Sequence, residues 1–131
     1  MASAYEIYQE KILDHYKHPR NKGELEGASH RGKESNPLCG DEISIGLVVD
    51  GADRIVDVRF TGQGCAISQA SASMLTERVK GRTIDEVASI RHDDVVEVLG
   101  IPLSAVRMKC ALLSLQVLRR ALGLPPEGHG S

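Results

Sequence analysis

Four side chains stand out as able to do chemistry: Cys39, Cys65, Cys110 and Asp41. The chain has 131 residues and three cysteines, an odd count that cannot all pair internally. As thiolates they are soft ligands suited to zinc or to iron–sulfur centres. Cys39 lies in Asn36-Pro37-Leu38-Cys39-Gly40-Asp41, Cys65 in Gly62-Gln63-Gly64-Cys65-Ala66, and Cys110 in Arg107-Met108-Lys109-Cys110-Ala111. No C-x-x-C pair exists, which excludes a local zinc-finger or thioredoxin-type motif. If the three meet, the fold must bring them together. Asp41 follows Cys39 by two residues, so at strand spacing the two side chains share a face. Three thiolates and one carboxylate make a four-ligand set for a tetrahedral Zn²⁺. The competing reading is that each cysteine is a small buried hydrophobe, and Cys110, in an apolar helix, fits that reading best.

Around these residues other titratable groups offer less. His15, His18, His30, His92 and His129 are scattered, and each is expected to be a surface or capping residue and not a ligand. Lys109 adjoins Cys110. It reads either as a solvated helix charge or as a cation that favours a neighbouring thiolate. Asp85-Glu86 and Asp93-Asp94 read as first-turn helix charges.

The elements that must position the cysteines follow from periodicity. Tyr5, Tyr8, Ile12 and Tyr16, with Leu13 beside them, predict an amphipathic helix over 4–18, stopped by Pro19. A weak edge strand is expected around 26–34. Ile43, Ile45, Leu47 and Val49 alternate with polar residues over 42–50, and Val56, Val58 and Phe60 do so over 54–61. The turn Gly51-Ala52-Asp53 joins them as an antiparallel hairpin. Residues 66–80 then form a helix rich in Ala and Ser, ended by Gly81. Cys65 thus falls at a helix N-terminus, where unpaired N–H groups and the dipole favour the thiolate. Thr83 and Glu86 have capping-box spacing for a short helix to Ile90. Asp93 or Asp94 caps another that ends before Gly100. Pro102 and Ser104 open a last helix to Gly123, apolar at Val106, Leu112, Leu113, Leu115, Val117, Leu118 and Leu122. One helix, then strands, then a run of helices is an α+β pattern with helices on one sheet face. Residues 1–124 read as a single domain and 125–131 as a disordered tail.

Composition excludes several function classes. Sixteen Lys and Arg against 18 Asp and Glu give a net charge of −2, and there is no Trp and only one Phe. No basic field or stack of rings is available for nucleic acid. No apolar stretch is long enough to span a bilayer, and the N-terminal residues lack the charge and apolar run of a secretory signal. A cytoplasmic setting with free or metal-bound thiols is expected.

Taken together, the three cysteine segments, with Cys65 followed by Ala66-Ile67-Ser68, resemble the IscU/SufU family, also called NifU N-terminal-like. Leu13-Asp14-His15-Tyr16-Lys17-His18-Pro19-Arg20-Asn21 is similar to that family's N-terminal signature, and the likeness spans about residues 5–123. The resemblance implies an α+β fold with a three-stranded antiparallel sheet, an N-terminal helix and a C-terminal run of helices. It implies an iron–sulfur cluster assembly scaffold that accepts sulfur from a cysteine desulfurase. Cys39, Asp41, Cys65 and Cys110 would ligate Zn²⁺ or a nascent [2Fe–2S] cluster, supported by Gly40, Gly64 and Lys109. Cys110, Cys39 and Cys65 are alternative sulfur acceptors. Expected partners are the desulfurase and recipient apoproteins, with self-association left open and neither nucleic acid nor membrane involved. Two departures bear on the branch. IscU members carry His where Lys109 stands, and Ile101-Pro102-Leu103-Ser104-Ala105-Val106-Arg107 differs from their Leu-Pro-Pro-Val-Lys segment. Lys109 is closer to SufU, although the Cys65–Cys110 gap lacks the insertion usual there. A zinc-dependent sulfurtransferase that partners the desulfurase and a structural zinc module remain the alternatives.

Overall fold

The alternating apolar residues of the predicted hairpin form the centre of a three-stranded antiparallel sheet. The computed structural model describes residues 4–36 and 40–125. Its elements are α1 (Ala4–Lys17), β1 (His30–Asn36), β2 (Asp41–Val49), β3 (Ile55–Gln63), α2 (Ala66–Val79), α3 (Ile84–Ala88), α4 (His92–Leu99) and α5 (Ala105–Ala121). The strand order is β1-β2-β3, with Asn36 opposite Asp41 and Glu42 opposite Gln63 at one end. Ile43, Ile45, Leu47, Val58 and Phe60 are buried on one sheet face. α5 packs there against β1 and β2, and α2 against β3 and α5. The α+β class and the helices on one face are therefore as the sequence predicts.

β1 runs 30–36, shifted from the expected 26–34. Its seven residues, HRGKESN, carry no apolar alternation, so only pairing with β2 defines it. Gly32 faces α5, where a Cβ would lie 2.7 Å from the Val117 carbonyl oxygen. This close approach seats the last helix on the sheet. Leu113, Leu115, Val117, Leu118 and Leu122 are buried as expected of that helix, but Val106, in its first turn, is exposed. The Thr83–Glu86 capping box forms: Thr83 Oγ1 accepts from the Glu86 N–H at 3.2 Å and Glu86 Oε1 from the Thr83 N–H at 3.0 Å. Residues 126–131 of the predicted tail lie outside the described residues, whereas the Pro125 carbonyl accepts a 2.8 Å hydrogen bond from Arg119 Nε.

α1 corrects the sequence reading in two ways. Among its described side chains Ile12 and His15 are buried, while Leu13 and Tyr16 stay 48% and 45% exposed; the side chains of residues 4–8, Tyr5 and Tyr8 included, fall outside what is described. His15 is thus a buried residue and not a surface one. The reason is polar packing between α1 and α2. Ser73 Oγ accepts the Arg20 N–H at 2.8 Å and shares a hydrogen bond of 2.8 Å with His15 Nδ1. His15 Nε2 stands 4.0 Å from Glu77 Oε1. Burial lowers the His15 pKa from 6.5, outweighing the attraction of Glu77.

The linkage follows from that sign. A base with a depressed folded pKa binds fewer protons folded than unfolded, so its stability contribution is complete above about pH 6.5 and is lost as pH falls toward the lower folded value. Denaturant titrations at pH 7.5 and 5.5 should show the loss, and His15→Gln should flatten it. An equally steep curve in the variant would assign the loss to another group.

Candidate metal centre

The site lies at the sheet end where Asn36 pairs with Asp41. Asp41 is the first residue of β2, and Gly40, in the left-handed region at φ 69, turns the chain into it. Cys65 is the N-cap of α2, and Cys110 sits in the second turn of α5. One ligand atom from each of Asp41, Cys65 and Cys110 lies within 4.8 Å of the others. The ligand atoms of a tetrahedral zinc site stand about 3.3–3.8 Å apart, given Zn–O and Zn–S bonds of about 2.0–2.3 Å. Small side-chain adjustments close that gap. Asp41 and Cys110 are buried, and Cys65 is half-buried.

Two backbone devices hold the group. The Cys65 N–H donates to Asp41 Oδ1 at 2.8 Å, and the Cys65 sulfur is 3.7 Å from Asp41 Oδ2. The carboxylate thus satisfies a free donor of the α2 N-terminus and fixes its own orientation. Between them Gly64 has φ 141, and a Cβ there would fall 2.0 Å from Asp41 Oδ1 and 2.9 Å from Asp41 Cα. Only glycine leaves room for the carboxylate. Farther along, the small residues of α2 let it lie close to α5. Ser71 Oγ donates to the Ala111 carbonyl at 2.6 Å and stands 3.2 Å from Ser114 Oγ. These contacts set the two helices in the register that places Cys110 beside Cys65.

Arg107, exposed on α5, is the nearby cation that sequence reasoning missed. A thiolate at Cys65, and to a smaller degree one at Cys110, would raise its pKa above the ordinary value. The signal was present, since Arg107 precedes Cys110 by three residues and so shares its helix face. Lys109, the expected cation, is exposed on α5. Cys39 lies outside the described residues. So does His129, and among the described residues no histidine joins the cluster. His92 is the first residue of α4, and Asp85 and Glu86 are first-turn residues of α3, as predicted.

A carboxylate and two thiols from three separate elements meet beside a glycine that admits no side chain, an arrangement able to hold a metal ion. The NifU-like N terminal domain model matches residues 7–124, nearly the whole of the described chain. The chain belongs to the NifU-like N-terminal domain family. It is similar to the iron–sulfur cluster assembly scaffold protein IscU 1 of Archaeoglobus fulgidus, at 42% identity over 88% of this chain and 74% of that one. It is similar to the zinc-dependent sulfurtransferase SufU of Bacillus subtilis, at 36% identity over 94% of both chains. Its structure matches the crystal structure of FiSufU from Fervidobacterium islandicum AW-1 with a TM-score of 0.76 and 32% identity, covering 92% of this chain and 99% of the other. The NifU-like fold therefore accounts for the sheet, the helices on one face and the α2 N-terminus at the site. No helix among the described residues is long and apolar enough to cross a membrane.

Proposed function

We propose that this protein is an iron–sulfur cluster assembly scaffold, which accepts sulfur from a cysteine desulfurase and holds a nascent [2Fe–2S] cluster. The observation that carries this is the convergence of Asp41, Cys65 and Cys110, with Cys39 two residues from Asp41 in sequence. Family membership supports it, as does the scaffold role named for the Archaeoglobus relative. In this reading Cys39, Cys65 and Cys110 bind as thiolates and Asp41 is the oxygen ligand. Carboxylate holds soft metal centres less tightly than thiolate does, which suits a site that releases its cargo.

Sulfur acceptance balances as an exchange between thiol and persulfide. A thiolate of this chain attacks the terminal sulfur of the desulfurase persulfide. One S–S bond forms, the desulfurase S–S bond breaks, and its cysteine leaves as thiolate with no net redox change. Cys65 is the more accessible of the two described thiols, while Cys110 is fully buried. Arg107 balances the negative charge that gathers where thiolates and a carboxylate converge. Arg107→Gln should retain metal and slow persulfide acceptance roughly tenfold, read by mass spectrometry in a single turnover, with partial rescue by Arg107→Lys. An unchanged rate would remove Arg107 from the site.

The donor set also fits Zn²⁺, since two sulfurs and a carboxylate oxygen are its ordinary ligands. Bound there, zinc would supply a Lewis-acid centre that keeps the sulfurs as thiolates. Lys109 in place of the histidine of IscU members favours this second reading, a zinc-dependent sulfurtransferase like the Bacillus relative. Incubating the full chain with ferrous iron, cysteine and a desulfurase separates the two. A scaffold gives protein-bound [2Fe–2S] absorbance. Faster desulfurase turnover without any cluster selects the sulfurtransferase. For docking, the exposed Leu13 and Tyr16 on α1 support the N-terminal helix as the desulfurase contact.

A further inference from the structure

The sheet has a second face, away from the helices and from Asp41. Side chains alternate along each strand, so the residues between the buried ones point there. Cross-strand pairing aligns them in two rows: Arg31, Gly46 and Arg59, then Lys33, Ser44 and Thr61. Three cations and two hydroxyls thus share one surface of a chain whose net charge is −2.

The surface is concave. Residues 21–25 cross it as a strap. At one end the Gly23 N–H donates to the Phe60 carbonyl at 2.8 Å, and at the other Arg31 Nη2 donates to the Leu25 carbonyl at 2.7 Å. Gly46 is the floor beneath the strap, where a Cβ would lie 3.5 Å from both Leu25 Cβ and Arg31 Nη1. The resulting basin holds about 370 Å³, within the range of small-ligand sites.

Its cations are poorly neutralised. Arg59 Nε is buried without a hydrogen-bond partner, and the nearby Asp57 stands 3.9 Å from it and 3.5 Å from Lys80 Nζ. Lys33 has an exposed partner, Glu42, at 3.3 Å, and Glu24 is the acidic residue of the lining. Exposed pairs of this kind are worth little. The Arg59 side chain as a whole is 43% exposed and lines the basin, so an anion there would meet its charge.

We propose that this basin binds a compact tetrahedral oxyanion, as inorganic phosphate or as the phosphate of a small monoester. Two guanidiniums, an ammonium and two hydroxyls present donors from several sides, which suits a tetrahedral anion with all oxygens accepting. The strap limits the ligand's size.

The test is a ¹⁵N–¹H shift titration of the zinc-loaded full chain at ionic strength held constant with sodium chloride. Separate arms use inorganic phosphate, glycerol phosphate and a hexaglutamate peptide. Saturable shifts confined to residues 31–33, 44–46 and 59–61 are expected with a phosphate arm, the tighter arm naming the source. Arg59→Gln, and independently the surface variant Lys33→Gln, should weaken binding roughly tenfold. Shifts only near residues 41, 65 and 110 would mean anion on the metal and overturn the proposal. So would titration of both variants like wild type, saturation by hexaglutamate alone, or no saturation with either phosphate arm beyond roughly 10 mM.

Discussion

Gly64→Ala is expected to cost about 2–4 kcal/mol of stability and to remove most metal affinity from the protein that still folds. The new methyl carbon would meet Asp41 Oδ1 at 2.0 Å and Asp41 Cα at 2.9 Å. A carboxylate can swing away, but the Cα belongs to the β2 backbone and cannot. The φ of 141 adds strain that a side chain brings by itself. Relief requires moving Asp41, which breaks the 2.8 Å bond to the Cys65 N–H and shifts the N-cap of α2. Stability and metal affinity should therefore fall together. Chemical denaturation in the presence of chelator isolates the first effect, and a competitive zinc titration measures the second. Gly81→Ala is the control: its φ of 87 is also one that disfavours a side chain, but open space lies around its would-be Cβ. It should lose stability and keep metal affinity.

The second large effect is that of Cys110→Ser. The exchange is nearly isosteric at a fully buried position in α5, so the helix and its Ser71–Ala111 contact should persist. Metal binding should not. Loss of an outer-shell partner alone typically costs 10–100-fold in metal affinity, and a lost ligand is expected to exceed about 100-fold. Cys65→Ser should match it, whereas a core cysteine would leave affinity unchanged. If Cys110→Ser keeps wild-type zinc stoichiometry and affinity, Cys110 is packing only. That outcome would restore the reading of Cys110 as a small hydrophobe.

Much of this was legible in the sequence, for identifiable reasons. Apolar alternation in β2 and β3 gave their pairing and the inward face of Ile43, Ile45, Leu47, Val58 and Phe60 directly, but it misplaced Val56: a register shift at Val48/Val49 leaves Val56 47% exposed and buries Ile55 instead. The caps of α3 and α5 announced themselves through Thr83, Glu86 and Ser104. β1 could not be placed to the residue, because a polar edge strand takes its register from its neighbour. In α1 the expected stripe holds at Ile12 and fails at Tyr16, which is exposed. The true inward face includes a histidine, whose burial depends on Ser73, 58 residues away. Within the site, Cys65 and Asp41 were marked by glycines and by the C-x-D spacing. Nothing local tied Cys110 to them; the link is the helix register set by Ser71 and Ser114. Arg107 lies three residues before Cys110, where a helix presents it on the same face, whereas Lys109, the immediate neighbour in sequence, points elsewhere on the helix.

X-ray absorption at the zinc edge of the loaded full chain tests the central claim most directly, because it counts ligands by type. Convergence of Cys39, Cys65, Cys110 and Asp41 predicts three sulfurs at about 2.3 Å and one oxygen at about 2.0–2.2 Å. A shell built of nitrogen and oxygen, with fewer than two sulfurs, would contradict it.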